Sequence, residues 1–541
     1  MSGGIQIKAR EQQEDGAREN KEPPTRRANH PNFPFVFHPG LSFNSALPPA
    51  IRNFALVFFG ALLLHVAGTW IIPLLDRDEP RFAEASREMR ERRDYVVPYF
   101  NDKYRFDKPP FIYWMQIGSY RVFGENDFAA RLPSGIAAAL TALLLLAWGR
   151  RLGGERTGRW AAIIFTLCLQ TFIHAKAAVA DMWLVFFTTA AYWAGYELIA
   201  GLLRSPPSPE DSRSWKYWRL IFYVALAFAF LAKGPLGWMP LATVAFMKFF
   251  LRGHALNRRF WFSSGILFSL GIVLLWGIPA LIRTDGEFFW VGIGRHVIER
   301  GFGALEGHGA QTWQSYLITL PFYFGTVFVS FFPWSIKLPA LTKRLWRERD
   351  AVDRYLILGI ALVFILMTIV KTKLPHYTLI AFPLLSLLMA RHLFSLRGFF
   401  VELLRLFPRF RHLPSRVSPR FAVRTAVLAV VVSVGVALLV FPLVAPTFPS
   451  AELFKKSRND LLPEMDFANV DYFEPSVVWY FRGRAHGFFR GLPPEWVDKF
   501  MTHPGPRFVI LPTELAKATY PQLPPGWKSY ETRGVAFAKG K

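Results

Sequence analysis

The chain has 541 residues, 52% hydrophobic and 16% aromatic, and its 64 Lys and Arg against 39 Asp and Glu give a formal charge of +25. Uncharged stretches at Phe54–Leu75, Phe260–Ile282, Thr312–Ile336 and Thr425–Ala451 are each long enough to cross about 30 Å of hydrocarbon as a helix, which excludes an assembly of soluble domains. The one cysteine, Cys168, excludes an intramolecular disulfide and any cysteine-based metal site.

Taken in chain order, residues 1–52 are polar and rich in charge, Pro and Gly, with no short apolar segment followed by a cleavage site, and are expected to form a disordered cytoplasmic tail. About eleven spans follow, at 53–75, 131–149, 159–175, 177–199, 217–233, 235–251, 260–283, 316–340, 355–370, 374–391 and 424–447. With the N-terminus inside, every second short loop is strongly basic: Arg150, Arg151, Arg156 and Arg159; Arg204, Arg213 and Lys216; Arg252, Arg258 and Arg259; Lys343, Arg344, Arg347, Arg349 and Arg354; and Arg391, Arg397, Arg405, Arg409, Arg411, Arg416 and Arg420. That is the positive-inside pattern. The surplus charge therefore reads as an orientation signal and an attraction to anionic lipid, and nucleic acid is not an expected partner.

The opposite loops are different in kind. Residues 73–130 hold ten basic and eleven acidic side chains, and a second long loop spans 284–315. An odd number of spans leaves 448–541 outside as well. This tail alternates Pro-rich turns with strand-like pieces (Val477–Phe481, Phe508–Leu511, Val535–Ala538) and predicts a small α/β domain.

In the first outer loop, 76–130, Pro80 suits the first turn of a helix, and Asp78 or Glu79 would sit at its positive end. Phe82, Ala85, Ser86 and Met89 recur at helical spacing, so this helix is expected to lie flat on the membrane with Glu84 and Glu88 on a solvated face. Phe111–Phe123 predicts a second interfacial element.

Ionisable groups beside membrane spans are costly and mark function by default. Here Asp78, Asp181, Lys233, Lys371, Lys373, His296, Arg300 and His308 all fall toward one side. A carboxylate can orient or deprotonate an acceptor, and cationic side chains can hold a phosphate and stabilise charge developing on it as it leaves. The arrangement suggests transfer of a group from a lipid-linked phosphate. Each residue also has a structural reading: a helix N-cap for Asp78, an ion pair with Lys176 for Asp181, interfacial anchoring for the lysines.

The run Asp78–Glu79–Pro80–Arg81–Phe82–Ala83–Glu84 resembles the first outer-loop motif of the membrane-embedded GT-C glycosyltransferases. That class includes the dolichyl-phosphate-mannose protein mannosyltransferases, and the nearer resemblance is to the bacterial aminoarabinose transferases of lipid A. Phe106–Asp107–Lys108–Pro109, Tyr113–Trp114, Ala180–Asp181, Ala232–Lys233–Gly234–Pro235 and Lys373–Leu374–Pro375–His376–Tyr377 follow in matching order.

The resemblance implies an all-α polytopic GT-C fold of roughly eleven to thirteen membrane helices, with interfacial helices in the first outer loop. It implies a catalytic domain over 53–447 and a periplasmic α/β domain over 448–541, in a bacterial inner membrane. The implied reaction moves a sugar from a polyprenyl-phosphate donor to lipid A or another lipid, glycan or protein of the envelope. A multi-span transporter or lipid flippase is the alternative. Asp78 and Asp181 are the implied catalytic carboxylates, and Arg81, Lys108, Lys233, Arg300, Lys373 and Tyr377 the implied substrate-binding groups. No cofactor is required. Some relatives carry a Glu before the loop lysine that helps bind zinc with a distant His; here that position is Asp107, with His296 or His308 as the implied partner.

Overall fold

The computed structural model describes residues 49–203, 209–247, 249, 255–292, 294, 312–396 and 418–534. Pro49–Lys541 forms one compact unit. Its first helix, α1 (Pro49–Val66), is followed by α2 (Asp78–Arg92), α3 (Phe111–Phe123), α4 (Asp127–Thr166), α5 (Leu169–Ala175), α6 (Asp181–Leu203), α7 (Pro209–Lys233) and α8 (Met239–Met247). Later membrane helices are Phe262–Arg283, Trp313–Thr319 with Phe322–Ser330, Ala351–Ile369, Phe382–His392 after a 3-10 turn at Pro375–Ala381, and Pro419–Gly435.

Among the described residues, six single helices are long and apolar enough to cross a membrane by themselves, or up to seven with the bent pair Trp313–Ser330 and Trp334–Arg347. More of the eleven predicted stretches fall on helix than that count suggests, because two long helical runs are hairpins. Within α4 the backbone leaves helical geometry at Gly153 and Gly154, the latter at φ +81°. A Cβ on Gly149 would lie 2.7 Å from Gly158 Cα, so the two legs touch back to back. Likewise a Cβ on Gly237 would meet the Ala229 carbonyl carbon at 2.5 Å, which places the reversal between α7 and α8 at Lys233–Trp238. Residues eight apart along a straight helix are about 12 Å apart.

Two predicted spans need correction. The first ends at Val66, and 67–75 are turns and coil. Lys176 Nζ donates to the carbonyls of Leu64 at 2.7 Å and Ala67 at 2.6 Å, which satisfies orphan acceptors at the end of α1. The stretch 316–340 breaks between Ser330 and Trp334 with a 112° bend, at Pro333, whose ring lacks the N–H a continuing helix needs.

The first loop contains a hairpin of β1 (Tyr99–Phe100) and β2 (Lys103–Tyr104), whose turn residues Asn101 and Asp102 both have positive φ, 52° and 66°. This is the backbone that Asn and Asp tolerate best after Gly. The C-terminal part holds a parallel sheet ordered β4 (Arg490–Gly491), β3 (Asp466–Asn469), β5 (Arg507–Ile510). Of its predicted strands, 508–511 matches β5, while Val477–Phe481 lies within the helix Pro475–Arg482. Proline at its first position favours helix over strand. Val535–Ala538 lies outside the described residues.

The helix α2 is not the half-solvated element expected. Ten of its fifteen residues are buried, Glu84 and Glu88 completely. The physical reason is the Pro475–Arg482 helix, which covers the charged face with charge of its own. Arg482 bonds Glu84, and Glu91 at 2.9 Å. Arg87 reaches Glu84 at 2.7 Å, Glu125 at 2.9 Å and the Trp479 carbonyl at 2.8 Å, with its guanidinium 3.9 Å above the Trp479 ring. Asp127 accepts from Trp479 Nε1 and Tyr480 Oη, both at 2.9 Å. The C-terminal part is thereby fastened to the first loop.

Candidate active site

The site is built from helix ends. Directly after α1, the chain turns at Pro73 and α2 begins with Asp78 and Glu79 in its first turn. Helix-start position alone leaves both carboxylates open, the family resemblance implies Asp78, and the structure separates the two. Glu79 is buried and takes two bonds from Arg131, at 2.9 Å from Nε and 2.7 Å from Nη2, plus the backbone N–H of Leu75 at 2.7 Å and of Ala178 at 2.6 Å. Arg131 spends its remaining donors on the carbonyls of Thr69, Ile72 and Pro73. Glu79 is thus a brace that fixes the start of α2 against the segment leading into α6. Asp78, one residue earlier, is exposed.

Asp78 lies in the electrostatic field of buried Arg105 and Tyr113, together with Asp107. Arg105 pairs with Asp107 at 2.7 Å and stacks over Phe82 at 5.2 Å. Burial pushes the Tyr113 hydroxyl up to about 12, so it stays protonated. Lys108, next along, donates to the Asp107 carbonyl at 3.0 Å and is within electrostatic reach of His376. Phe111 then packs its ring edge-on against Trp183 of α6 at 5.1 Å and Phe228 of α7 at 5.7 Å, which holds the loop onto the membrane helices.

Below the loop, Lys233 at the end of α7 donates to Asp181, the first residue of α6, at 2.6 Å. Its ammonium lies 5.8 Å from the Tyr377 ring. His376 stands edge-on to Tyr377 and 4.8 Å from His174 between ring centres. The sharp reversal after Lys233, with Gly234 at φ +74°, is what leaves the lysine at a helix end facing a second helix end.

Of the expected residues, Asp181, Lys233 and Tyr377 therefore come into direct proximity, with Lys108 within electrostatic reach of His376 beside them, while Asp78 lies in the field of Arg105 and Tyr113. Arg81 is within electrostatic reach of Asp76, beside the C-terminal part. Lys373 stands apart. Its Nζ donates to the carbonyls of Met367 at 3.0 Å, Val370 at 2.6 Å and Thr368, capping the Ala351–Ile369 helix as Lys176 caps α1. Asp181 pairs with Lys233 and not with Lys176. Arg300, His296 and His308 lie outside the described residues.

The expected metal pair is not assembled by what is described: Asp107 is held by Arg105, and its partner histidine is outside the described residues. Sequence reasoning gave no site role to His174, His376, Arg105 or Tyr113. His376 sat inside a quoted motif, and an ionisable ring between two apolar runs was the available signal.

The family profile described as "Dolichyl-phosphate-mannose-protein mannosyltransferase" matches residues 107–282. An uncharacterized protein of Aquifex aeolicus is 28% identical over 344 residues, 63% of this chain and 73% of its own. An "Undecaprenyl phosphate-alpha-4-amino-4-deoxy-L-arabinose arabinosyl transferase" of Pectobacterium carotovorum is 31% identical over 347 residues, 62% of this chain and 57% of its own. The match thus spans under three fifths of that transferase. Among solved structures, ArnT from Cupriavidus metallidurans bound to undecaprenyl phosphate superposes with TM-score 0.68 at 19% identity, covering 88% of this chain and 96% of that one. The resemblance read from the motifs is borne out: the chain has the GT-C fold of a multi-pass membrane protein.

Proposed function

We propose that this GT-C-fold chain is a glycosyltransferase that moves a sugar from a polyprenyl-phosphate donor to an acceptor of the cell envelope. The observation that carries the reading is the Lys233–Asp181 pair with Tyr377, His376 and Lys108 around it. Carboxylates and cations from distant parts of the chain gather at one layer of helix ends. The relatives with assigned names are transferases acting from undecaprenyl phosphate, which supports group transfer over the transporter alternative.

In this reading an acceptor oxygen attacks the anomeric carbon from the face opposite the phosphate. The new C–O bond forms as the bond to the phosphate oxygen breaks, and the electron pair leaves on the polyprenyl phosphate. Lys108 and Lys233, with Arg300, balance that charge, and Tyr377 borders the sugar. Arg81 helps hold the donor. Asp78 orients the acceptor. A lipid A phosphate is already ionised near neutral pH and needs orientation alone, whereas a hydroxyl gives its proton to Asp78. Asp181 holds Lys233 beside Tyr377 until the donor phosphate takes the lysine up.

In the membrane, the basic loops face the cytoplasm, and the first loop with the C-terminal part faces the periplasm. The reading is tested by incubating the detergent-purified chain with a polyprenyl-phosphate sugar and envelope lipids. Free polyprenyl phosphate and a glycosylated acceptor should appear in equal amounts. Unchanged donor across all acceptor classes rejects it.

A further inference from the structure

Three side chains near the proposed donor phosphate form a cluster that sugar transfer by itself does not explain. The ligand atoms of His174, Asp181 and His376 all lie within 4.8 Å of one another. They come from three separate elements: the last turn of α5, the first residue of α6, and the 3-10 turn at Pro375–Ala381. Two imidazoles face each other at 4.8 Å with planes tilted by 38°, beside a carboxylate that is only 8% exposed. Two His and one carboxylate are a donor set suited to first-row divalent metals, zinc above all.

The surroundings fit this use. His174 Nδ1 lies 3.3 Å from the Gln170 main-chain carbonyl, which can only accept, and 3.0 Å from Gln170 Nε2, a position that the amide oxygen takes when the side-chain amide is turned over. Ser330 Oγ in turn bonds Gln170 at 3.1 Å and, as a hydroxyl, suits either orientation of that amide. A proton held on Nδ1 leaves the Nε2 lone pair available, the usual arrangement for a ligating histidine. Lys233 engages Oδ1 of Asp181, so Oδ2 is left for a ligand bond. Metal bonds of about 2.0–2.1 Å require the three donors to close to about 3.3 Å apart, a movement of side chains at helix ends.

We propose that His174, Asp181 and His376 bind one divalent transition-metal ion of the zinc class, and that its arrival displaces the Lys233 ammonium from Asp181. The site is distinct from the Asp107-based pair that the family resemblance implied. Displacement frees Lys233 toward the Tyr377 side, where the donor phosphate is placed, so metal and donor binding reinforce each other. This last step rests on the proposed transferase reading; the metal site itself does not.

The test is a zinc titration of the full chain, purified without a histidine tag and stripped with chelator, followed by calorimetry and by metal analysis after desalting. The expected result is one equivalent retained. His174→Ala and His376→Ala each weaken binding at least tenfold, with His376→Gln as a gentler variant should alanine unfold the protein. Asp107→Ala leaves binding unchanged, and Lys233→Met tightens it. Binding below half an equivalent, or full binding by the His174→Ala/His376→Ala double variant, overturns the proposal. Donor turnover is measured separately: turnover without metal binding rejects only the metal site, and metal binding without turnover rejects only the transferase reading.

Discussion

Lys233 and Asp181, 52 positions apart, meet at 2.6 Å with side chains only 13% and 12% exposed. In a low-dielectric setting the loss of either partner leaves the other charge buried and uncompensated, at a cost of about 3–5 kcal/mol. Asp181→Asn and Lys233→Met should each lower the melting temperature and abolish transfer. The double variant should regain most of the stability and none of the activity, as read by thermal melting in detergent beside donor turnover. Recovery of activity in the double variant would reduce the pair to a structural tie.

Asp78 and Glu79 should part company on substitution. Asp78→Asn removes an exposed charge and leaves melting unchanged while turnover falls about 10²–10⁴-fold, the range for a positioned acid or base. Glu79→Gln strips charge from a carboxylate that takes bonds from Arg131, Leu75 and Ala178. It should cost about 3–5 kcal/mol and lose activity through unfolding. The comparison is made on the two purified variants, with melting and turnover taken from the same preparations.

The eleven apolar stretches were legible because a membrane demands long uncharged helix, and hydropathy needs no knowledge of packing. Hairpin reversals at Gly153–Gly154 and after Lys233 were legible from the charged punctuation between stretches. The state of a charge was not. Glu84 and Glu88 look solvated in a helical wheel, and it takes Arg482, almost 400 residues away, beside the local Arg87 and the N–H groups of Asn101 and Asp102, to make their burial tolerable. Lys373 and Lys233 read alike as helix-end lysines, yet one caps a helix and the other faces a carboxylate. Which partner a long cation reaches is decided by tertiary contacts that spacing does not encode.

The first loop and the C-terminal part should separate when Arg482 is lost. Arg482→Ala leaves Glu84 and Glu88 buried with one fewer counter-charge, a penalty of about 3–5 kcal/mol. Hydrogen exchange should rise in both α2 and the Pro475–Arg482 helix while α6 and α7 stay protected. Unchanged exchange in α2 would contradict the bracing role.

This junction should also respond to pH. Burial pushes the Asp76 carboxyl up to about 6 from an ordinary 3.8, while both Ser476 N–H at 2.8 Å and Ser476 Oγ donate to it. A raised value means that folding favours the neutral acid. Its stabilising contribution is therefore complete below about pH 4 and declines as pH rises through 6. Proteolysis of the C-terminal part should become faster between pH 5 and pH 7, and Asp76→Asn should flatten that dependence.

The most direct measurement is mass spectrometry of envelope lipids and glycoproteins from three strains: deletion, complemented with the natural chain, and complemented with Asp78→Asn. The account predicts that one sugar mass disappears in the deletion, returns with the natural chain and stays missing with Asp78→Asn. An unchanged envelope in the deletion, or full restoration by Asp78→Asn, would contradict it.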